Sequence, residues 1–100
     1  MKNFKTFTHA VEFYHLARAL PIKGPLRDQL ARASASIALN LAEGRGRTGR
    51  KDQVRFFNIA MGSVRECQAI LVLQGLNTSS AWDKLDCVAA HLYQLIKNAG

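Results

Sequence analysis

The side chains best suited to chemistry are scattered, and each grouping falls short of a known reactive centre. Glu12-x-x-His15 has the helical spacing with which di-iron bundles present a carboxylate and an imidazole. Such a centre needs a second pair of that kind and two more facing glutamates. His91 has no Glu three residues before it, and the only other glutamates are Glu43 and Glu66. His9-x-x-Glu12-x-x-His15 is not the zinc protease arrangement, in which two histidines lie one turn apart. Gly44-x-x-x-x-Gly49-Arg50-Lys51 approaches a phosphate-binding loop but lacks Lys then Ser/Thr after the second glycine, and no strand precedes it. Cys67 and Cys87 fall on separate apolar helix faces, and neither has a second ligand at metal spacing; buried free thiols are expected. No Ser or Cys comes with a His and an acid in a local signature. The expectation is a protein that is not an enzyme, with no catalytic residue, no cofactor and no metal.

The remaining chemistry is charge. The chain carries a net charge of +7. Residues 1–55 hold eleven Lys/Arg against four Asp/Glu, whereas residues 56–100 hold three of each. A field confined to one half of the chain favours an anionic partner, with nucleic acid first. Five of the eleven residues from Arg45 to Arg55 are basic: Arg45, Arg47, Arg50, Lys51 and Arg55. Free N–H groups at Gly49 to Lys51, flanked by arginines, suit a phosphate. Arginines on a turn suit backbone contact better than base readout. Arg18, Lys23, Arg27 and Arg32 are further candidates. Phe56 and Phe57 are assigned to the core, so no aromatic is left between the basic residues for base stacking.

Four amphipathic helices must position these groups. Phe7, Val11, Tyr14 and Ala17 give helical periodicity from about Thr6 to Leu20, which Pro21 ends. Pro25 suits the first turn of a second helix, expected to run to Glu43. Leu26, Leu30, Ala33, Ile37 and Leu41 recur along it at spacings of three and four. From Ala33 it is apolar nearly all round, so it needs cover on every side, either at a bundle centre or at a subunit interface. Gly44 is expected to end it in the left-handed conformation, and Thr48 to cap the next helix. That helix is expected from Arg50 to Gln74, with the stripe Val54, Phe57, Met61, Val64, Cys67 and Leu71, and Gly75 closing it. Gly62 is expected to give close contact with the alanines of the second helix. The fourth helix starts at Ser79 or Ser80, where Ser80-Ala81-Trp82-Asp83 resembles a capping box.

The fold class expected is all-α: residues 1–100 form a single domain, an antiparallel up-down-up-down four-helix bundle. The basic turn and both termini should share one end. An Arg27–Glu66 or Asp28–Arg65 ion pair is expected across the second and third helices. Asn40, Glu43, Ser63 and Glu66 are expected to cap and to hydrogen-bond between helices. No apolar run approaches the roughly 20 residues of a membrane span. The absence of a leader-like segment leads to the expectation of a cytoplasmic protein without membrane contact.

Ser36-Ile37-x-x-Asn40-x-Ala42-Glu43-Gly44, followed by Arg55-Phe56-x-x-x-Ala60-x-Gly62-Ser63-x-x-Glu66, resembles the four-helix-bundle proteins of intervening sequences in bacterial 23S ribosomal RNA genes. These are similar in turn to the accessory variability proteins of diversity-generating retroelements. The resemblance implies an antiparallel bundle assembled into a homopentamer, with a basic surface that binds RNA or DNA. In the retroelement relatives it implies association with a reverse transcriptase. It marks Asn40, Glu43, Gly44, Phe56, Gly62, Ser63 and Glu66 as positions of fold and assembly. The reading that results is a non-enzymatic, oligomeric, nucleic-acid-binding bundle. The alternative is an adaptor whose assembly docks a protein partner such as a reverse transcriptase.

Overall fold

A computed structural model describes residues 4–99. It has four helices and, among the described residues, no strand: α1 (Lys5–Arg18), α2 (Pro25–Gly46), α3 (Arg50–Leu73) and α4 (Ser80–Ala99). Each helix packs on two neighbours, in the ring α1–α2–α3–α4–α1, and the backbones of the two diagonal pairs do not approach closely. Three packings show their direction through named contacts. The Arg45 guanidinium lies 5.0 Å from the centre of the Phe4 ring, so the start of α1 meets the end of α2. Ser36 meets Ser63 across α2 and α3. Glu12 meets Lys84 across α1 and α4. α2 and α3 are joined by residues 47–49 alone and so run back along each other. α1 meets α4 at His9–His91 and then at Glu12–Lys84, in opposite senses along the two helices; α3 and α4 are then antiparallel as well. The bundle is thus up-down-up-down and measures 39 × 21 × 20 Å.

The core is built from one stripe of each helix. Ala10, Phe13 and Ala17 come from α1; Leu30, Ala33, Ile37 and Leu41 come from α2. Phe57, Ala60, Val64, Cys67 and Leu71 come from α3, and Ala81, Leu85, Val88 and Leu92 from α4. The spacings of three and four put each set on one face of its helix, and burial of that face stabilises helices this short. α3 has the length and composition of a membrane span, contrary to the expectation that nothing approaches one. Its apolar stripe is committed to the bundle core.

The helix ends depart from expectation in instructive ways. α1 stops at Arg18 rather than Leu20, because Pro21 disfavours helical backbone at the residue before it. α2 does not stop at Gly44. It runs on to Gly46, and the only described glycines in the left-handed region are Gly24 (φ 75°) and Gly75 (φ 69°). Gly44 instead lies buried inside the helix. A Cβ there would sit 2.7 Å from Phe57 Cε1 and 2.9 Å from Phe57 Cδ1, so the missing side chain lets the ring press on the α2 backbone. Nor does Thr48 cap α3: the N-cap is Gly49, without a side-chain hydrogen bond.

The other end of α3 is as expected. Gly75 N–H donates to the Val72 carbonyl at 3.0 Å and Leu76 N–H to the Leu71 carbonyl at 2.8 Å, the paired bonds of a glycine-terminated helix. α4 is capped by Ser79 rather than by Ser80, its Oγ accepting from Trp82 N–H at 3.2 Å.

Gly62 overturns a further expectation. It faces solvent, and nothing lies within 4 Å of a Cβ added there. Ala60 and Val64 take the buried face, and a residue two places from each points away from it. In the isolated chain, Gly62→Ala is therefore expected to stabilise by about 0.5–1 kcal/mol through helix propensity alone. A thermal melt would show it as a rise of roughly 4 °C. A fall would mean that another surface packs on Gly62.

Candidate functional site

The basic residues of the α2–α3 connection gather at one end of the bundle, in two kinds of setting. Arg47 and Arg55 are braced. Arg47 pairs with Glu43 at 2.8 Å and reaches Asp52 at 3.7 Å, while Arg55 reaches Asp52 at 3.4 Å. Both guanidiniums lie over the Phe56 ring, at 4.8 and 4.4 Å from its centre. Phe56 is therefore half-buried beneath two cations instead of in the core, where Phe57 alone sits. This corrects the expectation of a core Phe56 and of no aromatic among the basic residues. It also shows the connection to be a braced turn, with only residues 47–49 outside helices.

Arg45, Arg50 and Lys51 are exposed, and among the described residues none has an acidic partner within 4.0 Å. Arg50 and Lys51 occupy the first turn of α3, where the helix dipole disfavours cations. Arg50 and Lys51 are thus unfavourably placed within their helix, while Arg45, in the last turn of α2, has that helix's dipole in its favour. None of the three is neutralised by an acidic side chain among the described residues. The Arg45 guanidinium itself lies over the Phe4 ring, while the residue stays exposed.

The other candidates lie elsewhere. Arg18 ends α1, donating to the Tyr14 hydroxyl at 3.1 Å. Lys23 is in the α1–α2 connection and Arg27 in the first turn of α2. Arg27 and Arg45 are eighteen residues apart on one helix, roughly 27 Å at 1.5 Å per residue, and Arg32 is roughly 20 Å from Arg45. The structure therefore does not join the two basic groups into one site. Neither the Arg27–Glu66 nor the Asp28–Arg65 ion pair forms.

The family-like positions divide in the same way. Ser63 Oγ donates to Ser36 Oγ at 2.8 Å, and Asn40 Nδ2 donates to Ser36 Oγ at 3.0 Å and to the Ser36 carbonyl at 2.9 Å. Ser63 thus bonds between helices as expected, whereas both bonds from Asn40 stay within α2 and reach α3 only through Ser36. Glu43 braces Arg47, and Gly44 admits Phe57. Gly62 and Glu66, in contrast, are exposed on the outside of α3.

Two apolar surfaces are uncovered in the single chain. Val11, Tyr14, Ala35, Ala38 and Leu39 line an apolar groove between α1 and α2, with Leu39 68% exposed. On α3, Ile59, Gly62, Ala69 and Leu73 are exposed in a row of three-four spacing that the charged Glu66 interrupts, with Leu73 72% exposed. The second helix, apolar nearly all round in sequence, is thus not fully covered within one chain.

The two cysteines differ. Cys67 is buried in the core, and burial, helped by the charge of Glu66, pushes its thiol up to about 12. It is expected to resist alkylation at pH 8 until the protein unfolds, because the thiolate is the nucleophile. Cys87 is only half-buried and is expected to react first. Mass spectrometry of the native protein after brief iodoacetamide treatment would show label at Cys87 alone.

Cys87 does have a second ligand at metal spacing, contrary to expectation. His91 follows four residues later on α4, and α1 adds His9; one donor atom from each lies within 4.8 Å of the others. The signal available in the sequence was Cys87-x-x-x-His91, one helical turn. The contribution of His9 depended on how α1 packs against α4.

Fold and surface together define an all-helical bundle with a polar seam between its central helices and a cationic end. The chain matches the family model of 23S rRNA-intervening sequence proteins over residues 4–98 and belongs to that family. A comparison with curated proteins found no match.

Proposed function

We propose that this chain is a non-enzymatic, oligomeric bundle that binds the phosphate backbone of nucleic acid at the α2–α3 end. The observation that carries the reading is the exposure of Arg45, Arg50 and Lys51 without acidic partners among the described residues, beside the braced Arg47 and Arg55. Two of these cations oppose a helix dipole, and a phosphate there would relieve that repulsion. Arginines braced over Phe56 present a preorganised surface. Arg18, Lys23, Arg27 and Arg32 would form a second, weaker contact at the far end or along the side.

Oligomer formation is supported by the α1–α2 groove and the exposed α3 row from Ile59 to Leu73, apolar but for Glu66, two different surfaces on one subunit. Subunits that each present the first surface to a neighbour's second form a closed ring when the rotation between neighbours divides a full turn, and an open filament otherwise. Five subunits is the number that the family resemblance implies.

The experiment is light scattering on a sizing column, at low and at high salt, with and without a short RNA duplex. A stable oligomer that takes up RNA only at low salt is expected, because neutralised phosphates release counterions. An oligomer indifferent to RNA would turn the reading to protein docking, with a polymerase such as a reverse transcriptase as a candidate. A monomer under every condition would overturn the assembly.

A further inference from the structure

We propose that His9, Cys87 and His91 form a zinc-binding site that clamps α1 to α4. The three donors come from the first and last helices, and one atom from each already lies within 4.8 Å of the other two. Tetrahedral zinc, with bonds of about 2.0–2.3 Å to nitrogen and sulfur, needs donors roughly 3.4–3.7 Å apart, so side-chain rotations of about 1 Å complete the set. The His9 and His91 rings are adjacent, with centroids 4.6 Å apart. All three residues are half-buried: desolvated enough to favour a bound ion, and open enough for it to enter.

The surroundings favour ligation. His91 Nδ1 lies 2.9 Å from the Cys87 carbonyl oxygen, which can only accept, and 3.7 Å from Cys87 Sγ. Nδ1 therefore carries the proton, Nε2 keeps its lone pair, and the ring must turn to bring Nε2 to an ion shared with the thiolate. His9 Nδ1 lies 3.4 Å from Glu12 Oε1. A proton on that nitrogen, donated to the carboxylate, frees the other nitrogen for metal and orients the ring. His91 therefore has the outer-shell acceptor typical of metal-bound histidine, and His9 gains one in Glu12 once the Lys84 ammonium, which can only donate, leaves its Nδ1. Lys84 opposes this: its Nζ lies 3.2 Å from His9 Nδ1 and 3.0 Å from Glu12 Oε1. The hydrogen bond from Lys84 holds the Glu12 carboxyl below the ordinary carboxylate range. On binding, the Cys87 thiol gives its proton to solvent and the thiolate joins the ion, with water in the fourth position.

α1 and α4 are neighbours in space but lie at opposite ends of the sequence. A zinc bridge would close the ring of helices where no short connection does. The test uses the full chain, reduced and stripped with chelator, titrated with Co2+ as the spectroscopic probe and then with Zn2+. A thiolate-to-cobalt charge-transfer band saturating at one equivalent per chain is expected, displaced by zinc. The thermal midpoint is expected to rise by about 10 °C at free zinc a hundredfold above Kd. Cys87→Ser is expected to abolish the band, and His9→Gln to weaken binding at least tenfold. Lys84→Met is expected to tighten it roughly tenfold, the scale of outer-shell changes. Circular dichroism of each variant would confirm that the helices remain. Absence of the band in the wild type, or unchanged zinc affinity in Cys87→Ser or His9→Gln, would overturn the site.

Discussion

Replacing Arg45, Arg50 and Lys51 together with Ala is expected to cut the affinity for duplex RNA on the order of a hundredfold at 0.15 M salt. The estimate follows from counterion release. Each lost phosphate contact removes about 0.9 from the slope of log K against log salt, so three remove about 2.7, which referred to 1 M salt is a factor of this size. The slope is the more telling readout, because it counts contacts regardless of how affinity is otherwise composed. The three residues make no ion pair among the described residues, so the bundle is expected to remain folded. The exception is the contact of Arg45 with Phe4, worth about 0.5–1 kcal/mol. The matching change of Arg18, Lys23 and Arg27 is expected to lower the slope less. Equal slopes for the wild type and the first variant would remove the α2–α3 end from the proposal. Arg47 and Arg55 are poorer choices for this test, since their loss also unbraces the turn through Glu43 and Asp52.

Gly44→Ala is expected to destabilise the bundle by about 2 kcal/mol, a thermal midpoint lower by about 10 °C. Within a helix the substitution should otherwise gain about 1 kcal/mol of propensity. The contact decides the sign. The new methyl would lie 2.7 and 2.9 Å from two carbons of the Phe57 ring and 3.1 Å from Phe56 Cβ. Phe57 is 2% exposed and is held by the core, so it cannot swing aside cheaply. A smaller partner tests the cause. Phe57→Leu alone loses core packing, but combined with Gly44→Ala its cost should fall, giving a favourable coupling in a double-mutant cycle. Gly44→Ala more stable than the wild type would mean that close approach is not why glycine stands there. The opposite effects expected of alanine at Gly44 and at Gly62 separate a glycine required by the fold of one chain from a glycine that this fold does not use.

Much of the architecture was legible in the residues. Apolar positions at spacings of three and four named most of the buried stripe of α2 and α3. In α1 they named Phe7, Val11 and Tyr14, which are only half-buried, whereas Ala10 and Phe13 beside them face the core with Ala17. Pro21, Pro25 and Gly75 marked three of the ends, because proline and glycine act through the local backbone. Gly44 was misread for the same reason. Its flexibility suggested a helix terminus, but its lack of volume is what the structure uses, and volume matters only when Phe57 arrives from another helix. Gly62 was misread in the opposite direction, as a contact where there is open space. The basic group was visible in composition. What was not visible was its division into braced Arg47 and Arg55 and unpartnered Arg45, Arg50 and Lys51, which depends on Asp52 and Glu43 reaching across the turn.

The sequence by itself determined the local elements, the class of fold and the sign and end of the charge, since periodicity, backbone breakers and charge density act over a few residues. Only the tertiary structure decided which glycine is a packing surface and which ring lies beneath the arginines. It also decided that Ser36 would meet Ser63 and that His9 would meet Cys87 and His91. Those pairings join residues 27 to 82 positions apart, and their geometry is fixed by how the core stripes of neighbouring helices bury one another.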